Sequence, residues 1–394
     1  MRFLFTTFRG SGHLGPLLPI ADAVRAAGHD VVFACAASFV PTVERAGFPA
    51  LAAGFDLRGR PLPELFPGAR ARPLVSQRLP EIFVPIFAGA MTPDLLSIGH
   101  EWRPDVIVRD AMEYGGCLAA EVLGIPHAVV RSSTPPSLYS WRRTVAEPLA
   151  RLRIVNGLPP DPDVAMPFRY LYLAPEPPGF ALPGDEDAPT IRRHRAQAAD
   201  RAGDDGLPGW VADLPDRPTV YATLGTVVSR EPSGQALFPT ILAALRDEPI
   251  NLVITVGRTN DPEQFGPQPA SVHIARYIPQ SLLLPHCDLL VSQGGFSTVT
   301  GALAAGLPMV TIPLMGDQPD NAARCAALGV GRTIGPEERT AEAIRGAMRG
   351  VLGDPTYRRN AERVREAMAT LPGPEYAAEL LERLAAEKRP ILAA

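Results

Sequence analysis

The chain has 394 residues, long enough for two domains, and its 46% apolar and 20% charged residues exclude a disordered chain. Lys and Arg number 38 against 42 Asp and Glu, so the net charge of −4 gives no electrostatic basis for binding nucleic acid. No apolar run reaches the ~18 residues needed to span a bilayer, and the four cysteines lack metal-site spacing. We therefore expect a soluble cytoplasmic protein whose cysteines are buried free thiols.

The first half of the sequence alternates predicted strands and helices, beginning with a buried strand rather than a signal peptide. The predicted strands cover residues 2–7, 30–36, 105–109 and 127–131, and the predicted helices cover residues 16–27, 39–46 and 114–123. Strands separated by helices indicate a parallel sheet covered on both faces. Residues 54–91 are rich in Arg, Pro and Gly without a firm period, so we expect long loops there, a common setting for a binding wall.

The alternating pattern stops and then restarts in the second half. Prolines and charges crowd residues 156–217, where 201–206 is the most linker-like stretch. Further strands are predicted at 219–224, 251–256, 273–275, 289–291 and 309–312, with helices at 237–245, 281–286, 298–305 and 321–328. The sequence thus predicts an α/β protein with two doubly wound, Rossmann-like domains facing a central cleft, where ligands bind at the carboxyl ends of the strands. The expected boundaries are an N-terminal domain of 1–200, a linker of 201–217, a C-terminal domain of 218–374, and a helix and tail of 375–394.

A glycine-rich segment follows the first predicted strand. Gly10, Gly12 and Gly15 match G-x-G-x-x-G, a pattern typical of dinucleotide-binding folds. Such folds also need an acidic residue near the end of the second strand to bind the ribose, and that strand ends instead in Cys35 and Ala36. A nicotinamide enzyme is therefore not favoured, and the glycines are explained equally well by a tight turn.

His13 lies in the same loop, at the carboxyl end of the first strand. A histidine there is a candidate general base, although an isolated loop histidine is more often merely solvated. Asp110 directly follows the strand at 105–109 and should emerge at the same edge, where a carboxylate can orient one imidazole nitrogen and stabilise the protonated ring. Histidines with metal-ligand spacing are lacking, so we expect no metal centre.

A second candidate site follows the strand at 289–291. Gln293, Gly294 and Gly295 lead into a predicted helix that Ser297 and Thr298 open. Backbone N–H groups at a helix start, together with two hydroxyls, form an anion site suited to a diphosphate; the alternative is an ordinary serine cap.

Asp317 and Gln318 lie in a loop after the next predicted strand. Their short polar side chains are suited to hydrogen bonding with ligand hydroxyls, or else they are simple turn residues.

Together these motifs resemble those of the family 1 glycosyltransferases of the GT-B fold, particularly the actinobacterial enzymes that decorate natural products. The resemblance covers both halves of the chain. It implies that His13, in a G-H-x-x-P segment, is the catalytic base and that Asp110 is its carboxylate partner. It also implies that Asp317 and Gln318 bind sugar hydroxyls.

Further donor-site residues follow from this resemblance. Residues 277–280 (YIPQ) match a W-x-P-Q motif, whose aromatic ring stacks on the nucleotide base while the next residue's backbone reads the base edge. Thr226 after Gly225 matches a Gly-Ser/Thr turn near the donor phosphates. The expected donor-binding set is Gly12, Gly225, Thr226, Tyr277, Ile278, Gln280, Gln293, Gly294, Gly295, Ser297, Thr298, Asp317 and Gln318.

Three positions depart from the family pattern. Gln293 stands where the family usually has a histidine at the diphosphate site, and glutamine donates a hydrogen bond without carrying charge. Tyr277 replaces tryptophan and gives a smaller stacking face. Gly301 stands where many plant members have a glutamate that contacts the donor ribose. These departures bear on donor affinity and donor identity.

The resemblance implies an inverting, metal-independent glycosyltransferase that moves a sugar from a dTDP- or UDP-sugar to a hydroxyl of a polyketide, macrolide or polyphenol-like acceptor. We expect no cofactor beyond the nucleotide sugar, no nucleic-acid partner, no stable membrane insertion, and a monomer or homodimer. Two alternatives stay open: a sugar-nucleotide epimerase of the same fold, and a catalytically silent accessory protein. The candidate acceptor contacts, which can equally be core residues, are Phe66, Phe83, Phe87, Tyr139 and Trp141.

Overall fold

The computed structural model describes residues 1–57, 82–133, 138–180, 188–198, 200 and 205–392, without the side chains of 138–141. The chain divides into two compact units. The first unit comprises Met1–Pro175, Pro183–Gln197 and Pro372–Ala394, and the second comprises Glu176–Leu182 and Ala198–Leu371. The short passage of Glu176–Leu182 into the second unit has no counterpart in the sequence prediction.

Each unit is built on one parallel sheet, as predicted. The strands of the first unit are β1 (Arg2–Thr6), β2 (Asp30–Cys35), β3 (Ala50–Ala52), β4 (Val106–Asp110), β5 (His127–Val130), β6 (Leu171–Ala174) and β7 (Ile191–Arg193). Those of the second are β8 (Thr219–Thr223), β9 (Asn251–Thr255), β10 (Val272–Ala275), β11 (Leu289–Ser292), β12 (Met309–Thr311) and β13 (Gly331–Thr333). In the first unit the strand order across the sheet is β3-β2-β1-β4-β5-β6-β7, and in the second it is β10-β9-β8-β11-β12-β13.

Helices cover the faces of both sheets. The first unit has α1 (Ser11–Leu14), α2 (Leu18–Ala26), α3 (Val40–Arg45), α4 (Gly89–Trp102), α5 (Gly115–Leu123) and α6 (Leu138–Val155), with a π-helical segment, Phe83–Ala88, leading into α4. The second has α7 (Pro232–Leu245), α8 (Gln280–Leu283), α9 (Phe296–Ala304), α10 (Gln318–Ala327), α11 (Ala341–Gly353) and α12 (Pro355–Ala369). Across the described ranges, we find no helix with the length and apolar character needed to cross a bilayer.

The last helix, α13 (Pro374–Glu387), belongs to the first unit. Leu381 and Leu384 on its apolar face are fully buried, and the helix packs against α2. Glu382 accepts a hydrogen bond from His29 Nε2 at 2.7 Å, which fixes the helix beside the start of β2. The sequence left open which domain this helix covers.

The core of the first unit explains why β1 lies in its middle. Phe3, Leu4 and Phe5 are completely buried because helices cover both faces of the sheet. Leu4 packs with residues of α4 and α5, while Phe5 stacks on Phe33 of β2 with ring centroids 5.1 Å apart. Burying each of these side chains contributes roughly 1.5–3 kcal/mol.

Strand register decides which loops meet at the sheet edges. Thr6 of β1 pairs with Arg109 of β4, so the segments that follow both strands emerge side by side. In the second unit Ser292 of β11 pairs with Thr223 of β8, which brings the loops after those strands together. These two edges carry the candidate site residues.

Candidate active site

His13 and Asp110 are in direct contact at the edge of the first sheet. His13 lies on α1, which starts after Gly10 at φ +144°, a conformation that glycine adopts readily. The imidazole Nδ1 lies 3.1 Å from each carboxylate oxygen of Asp110. The Asp110 side chain is fully buried, whereas that of His13 is 23% exposed. The aspartate is therefore shielded from water while the histidine is accessible to a ligand.

The contact defines the tautomer of His13. Asp110 Oδ1 also accepts a hydrogen bond from the Met112 backbone N–H at 2.9 Å, and its backbone oxygen accepts from Glu113 N at 3.1 Å. A carboxylate only accepts hydrogen bonds, so Nδ1 must carry the proton that His13 shares with Asp110. Nε2 then carries the lone pair, as a general base requires.

Arg109 fixes the turn that follows β4. Its completely buried guanidinium donates to the carbonyl oxygens of Asp110, Ala111 and Glu113 at 3.2, 3.3 and 3.1 Å, and to that of Pro167. Three of these acceptors hold the turn in one conformation, and the bond to Pro167 ties it to the segment Met166–Phe168. Neither Arg109 nor Glu113 was among the residues predicted from the sequence.

An apolar cavity lies beside His13. Its lining includes Phe8, Phe55, Met91, Glu113 and the predicted acceptor residues Phe83 and Phe87. The Phe8 ring meets the His13 ring edge-on, with centroids 5.4 Å apart. The aromatic and aliphatic character of this lining is typical of sites that bind apolar small molecules.

The predicted acceptor residues divide into two groups. Phe83 and Phe87 are only 4% and 8% exposed, so they are core residues as well as part of the cavity lining. Both lie on the π-helical segment, a feature often found at functional sites. Phe66 and the side chains of Tyr139 and Trp141 lie outside the described residues.

In the second unit, Gln293 occupies a narrow space between glycines. Gly225 has φ +67°, and a Cβ there would overlap Gln293 Nε2, while a Cβ on Gly295 would lie 2.9 Å from the same atom. Gln293 Oε1 is buried and finds no hydrogen-bond partner among the described residues. Glycine at both positions is therefore what admits the Gln293 amide.

The start of α9 follows Gln293 directly. Gly294 has φ +81°, and Gly295 caps the helix without a side chain that could bond the first N–H groups. Ser297 is exposed and Thr298 is 7% exposed at this helix start. The residues predicted for a diphosphate site thus lie together, at the positive end of the helix dipole.

The loop before α10 is connected by hydrogen bonds to the segment that leads into α9. Asn321 Nδ2 donates to the Gly294 carbonyl at 2.9 Å and to Asp317 Oδ2 at 3.1 Å. Gln318 Oε1 accepts from the backbone N–H groups of Leu314 and Met315 at 2.8 and 2.9 Å. The side-chain carbonyl of Gln318 is thus engaged in shaping its own loop. Asn321 was not predicted.

Tyr277 already has a cation on one ring face. The Arg258 guanidinium carbon lies 3.6 Å from the ring centroid, and Arg258 is also paired with Asp205. The Tyr277 hydroxyl donates to the Asp200 carbonyl, and burial raises the pKa of the phenol to about 12. One face of the Tyr277 ring is therefore covered by a cation.

For the four remaining residues of the predicted donor set, the structure gives their exposure and their position in the fold. Thr226 is exposed beside Gly225, Ile278 is buried, and Gln280 begins α8. Gly12 is exposed next to His13 in the first unit, and a Cβ there would meet open space. No group of His, Cys, Asp or Glu side chains suited to a metal ion occurs in the part of the chain that the structure describes.

Solved structures supply the class of protein. The glycosyltransferase SnogD from Streptomyces nogalater matches 98% of this chain and 99% of its own, with a TM-score of 0.78 and 27% identity. Glycosyltransferase VinC, solved in complex with dTDP, matches 98% of this chain and all of its own, with a TM-score of 0.79 and 26% identity. The protein is a glycosyltransferase of the GT-B fold, as the sequence predicted.

Sequence relatives supply the family. Residues 240–384 match the erythromycin biosynthesis protein CIII-like C-terminal domain. The 4'-demethylrebeccamycin synthase of Lentzea aerocolonigenes is 30% identical over 97% of this chain and 99% of its own. The L-demethylnoviosyl transferase of Streptomyces niveus is 31% identical over 99% of each chain. The chain belongs to the actinobacterial natural-product glycosyltransferases, enzymes of the hexosyltransferase type.

Proposed function

We propose that this enzyme is an inverting, metal-independent glycosyltransferase that moves a sugar from a dTDP- or UDP-sugar to a hydroxyl of a small polyketide, macrolide or polyphenol-like molecule. The observation that carries the proposal is the contact of His13 with buried Asp110 beside an apolar cavity. That arrangement provides a base for the hydroxyl and a binding site for the molecule that bears it.

His13 acts on the acceptor. Its Nε2 removes the hydroxyl proton while the acceptor oxygen forms a bond to the anomeric carbon and the bond from that carbon to the diphosphate oxygen breaks. Asp110 stabilises the imidazolium that results. Because attack and departure occur in one displacement, the anomeric configuration inverts. General-base catalysis accounts for roughly 10²- to 10⁴-fold of the rate, and orientation and leaving-group stabilisation provide the rest.

The second unit holds the leaving group. The diphosphate gains negative charge as the sugar departs, and the N-terminus of α9 stabilises that charge without a metal ion. The unpartnered Oε1 of Gln293 can only accept a hydrogen bond, so it would contact a hydroxyl of the nucleotide sugar, whereas the diphosphate oxygens need the Nε2 of the same amide as donor. Thymidine diphosphate is supported as the donor nucleotide because VinC was solved with dTDP.

The cavity supports an apolar acceptor. Phe8, Phe55, Phe83 and Phe87 present aromatic edges, whereas the buried Glu113 is the one carboxylate in the described lining. Relatives are named for acceptors of this kind: the 10-deoxymethynolide desosaminyltransferase of Streptomyces venezuelae is 29% identical over 99% of this chain and 98% of its own. We propose no cofactor beyond the nucleotide sugar, action in the cytoplasm, and a monomer or homodimer.

The two alternatives lack comparable support. An epimerase would use the donor site of the second unit without an acceptor cavity, and a silent accessory protein would need no base. The family matches are named transferases and synthases of glycosides, so neither alternative is favoured.

A matrix of nucleotide sugars and acceptors tests the proposal. The parent protein and His13→Ala are each incubated with dTDP- and UDP-sugars and with polyketide or polyphenol acceptors, and glycoside masses are measured. We expect a glycoside with the parent and a strong loss with the variant. An epimerised donor without acceptor would support the epimerase, and nucleotide binding without any turnover would support the silent protein.

A further inference from the structure

Glu113 is a buried carboxylate with three hydrogen bonds. Its Oε2 accepts from the Thr6 hydroxyl at 2.6 Å and from Gly116 N at 2.8 Å, and its Oε1 accepts from Gly115 N at 2.5 Å. Glu113 is 7% exposed and Thr6 is completely buried. The two N–H groups belong to the first turn of α5, so the carboxylate also lies at the positive end of that helix.

The position of these residues in the chain links them to the site. Thr6 is the last residue of β1, directly before the segment that carries His13. Glu113 lies three residues after Asp110, and its N–H closes the turn onto the Asp110 carbonyl at 3.1 Å. The Thr6 to Glu113 hydrogen bond therefore joins the two segments that bring His13 and Asp110 together.

The glycines of α5 leave room for this contact. A Cβ on Gly115 would lie 2.8 Å from Glu113 Oε1, and a Cβ on Gly116 would lie 2.7 Å from Oε2 and 2.8 Å from the Thr6 hydroxyl. Any larger residue at either position would displace the carboxylate. This close fit restricts the position of the Glu113 carboxylate, and the carboxylate in turn restricts the conformation of the turn that carries it.

Arg109 lies in the same cluster as Glu113. Burial raises the pKa of the Glu113 carboxyl group above its ordinary value, and the Thr6 hydrogen bond, the Arg109 charge and the two glycine N–H groups oppose this rise. Arg109 is itself buried and bonded to the carbonyls of the same turn. The turn thus holds a buried carboxyl group and a buried guanidinium in addition to the His13 and Asp110 pair.

We propose that Glu113, through its hydrogen bond with Thr6, is a positioning residue that sets the geometry of His13 and Asp110 for sugar transfer. The inference rests on the proposed function for its kinetic consequences. A helix cap alone needs only the bonds to Gly115 and Gly116. The bond to Thr6 joins the turn after β4 to the end of β1, and this connection gives Glu113 a role beyond capping.

Thr6→Val tests the role with little change of shape, because it removes the hydroxyl and keeps the branched side chain. We expect kcat to fall about 10- to 100-fold, since small displacements of catalytic groups have effects of that order. The dissociation constant for dTDP should stay unchanged because all the proposed donor residues except Gly12 lie in the second unit. Thr6→Ser retains the hydroxyl and should restore kcat to near the parent value.

Coupling to Asp110 separates positioning from general destabilisation. If Glu113 and Thr6 act through Asp110, Thr6→Val should add little to the loss already caused by Asp110→Asn. Glu121→Gln is the matched control: Glu121 is a buried glutamate on α5 that pairs with Arg153 at 3.3 Å and with Arg169, away from the turn. It should lower the melting temperature and leave kcat unchanged.

A spectroscopic readout keeps this inference separate from the proposed function. In the parent, the His13 Nδ1 proton shared with Asp110 should give a downfield NMR resonance that Thr6→Val shifts or broadens and Glu121→Gln leaves in place. A resonance and a kcat unchanged by Thr6→Val would overturn the inference, as would fully additive losses with Asp110→Asn. If the parent transfers no sugar, the proposed function fails, and the resonance alone then decides whether Thr6 and Glu113 position the pair.

Discussion

At the scale of single residues, general-base catalysis by His13 requires Asp110 to act as a carboxylate toward its imidazole. An amide presents either a donor or an acceptor to Nδ1, so Asp110→Asn both weakens the imidazolium and permits the wrong tautomer. We expect kcat of Asp110→Asn to fall roughly 10²- to 10⁴-fold. The double variant that combines Asp110→Asn with His13→Ala should be little slower than His13→Ala alone, because the two residues act as a unit. Asp105→Asn, at the other end of β4, is the control and should keep kcat. Parent-like turnover of Asp110→Asn would remove Asp110 from the mechanism.

A second residue-scale prediction concerns Gly225. Its φ of +67° strains any substitution by roughly 1–2 kcal/mol, and its Cβ would overlap Gln293 Nε2. Gly225→Ala should therefore lose stability and also weaken dTDP binding. Gly266 has the same φ of +67° with no atom within 4 Å of its Cβ, so Gly266→Ala should lose stability alone. Equal dTDP affinity of the two variants in calorimetry would contradict the role assigned to Gln293.

The residue scale also shows what a sequence can and cannot predict. The contact of His13 with Asp110 was predictable because both residues follow parallel strands that end at one edge. The role of Glu113 was not, because it depends on a hydrogen bond to Thr6, 107 positions away. Likewise, only the folded structure places Arg258 over Tyr277, since neither residue lies in a periodic pattern that predicts the other.

At the scale of elements, sequence analysis missed four short strands, β3, β6, β7 and β13, although it predicted other strands of three or four residues. β6 and β7 lie within the proline-rich stretch 156–217, where no period is evident. β6 and β7 nevertheless extend the first sheet beyond β5. The long buried strands and the parallel pattern were predictable because continuous apolar runs between helices leave few alternatives.

The segment before α8 gives a prediction at this scale. Tyr277→Phe keeps the ring and removes only the hydroxyl bond to Asp200, so we expect dTDP affinity close to that of the parent. Tyr277→Ala removes the stacking surface and should weaken binding by roughly 1–3 kcal/mol, measured by calorimetry. If both variants bind equally well, the ring does not stack on the base, and the Arg258 guanidinium becomes the group to examine.

At the scale of the whole molecule, buried histidines make the free energy of unfolding depend on pH. Burial lowers the pKa of His194 to about 4, against 6.5 for an ordinary histidine, and it also lowers that of His127. The unfolded chain therefore binds protons below pH 6.5 that the folded chain does not, so stability decreases as pH falls from 6.5 towards 4. For His194 the loss amounts to roughly 3 kcal/mol.

Denaturant unfolding between pH 7 and pH 4 measures this effect. His194→Gln is neutral throughout and should flatten the pH dependence of the free energy of unfolding. His100→Gln, at an exposed histidine, should keep the slope of the parent. An unchanged slope in His194→Gln would show that His194 accepts a proton in the folded state.

The proposed function divides between the two units: the proposed base, His13, lies in the first, and all the predicted donor residues except Gly12 lie in the second. The most direct test of sugar transfer by a His13 base is a single-turnover measurement with the donor at saturating concentration. We predict that His13→Ala slows glycosidic bond formation roughly 10²- to 10⁴-fold while its dTDP affinity equals that of the parent, and that the parent's product has the inverted anomeric configuration. Equal rates for His13→Ala and the parent, or a product that retains the configuration of the donor, would contradict the account.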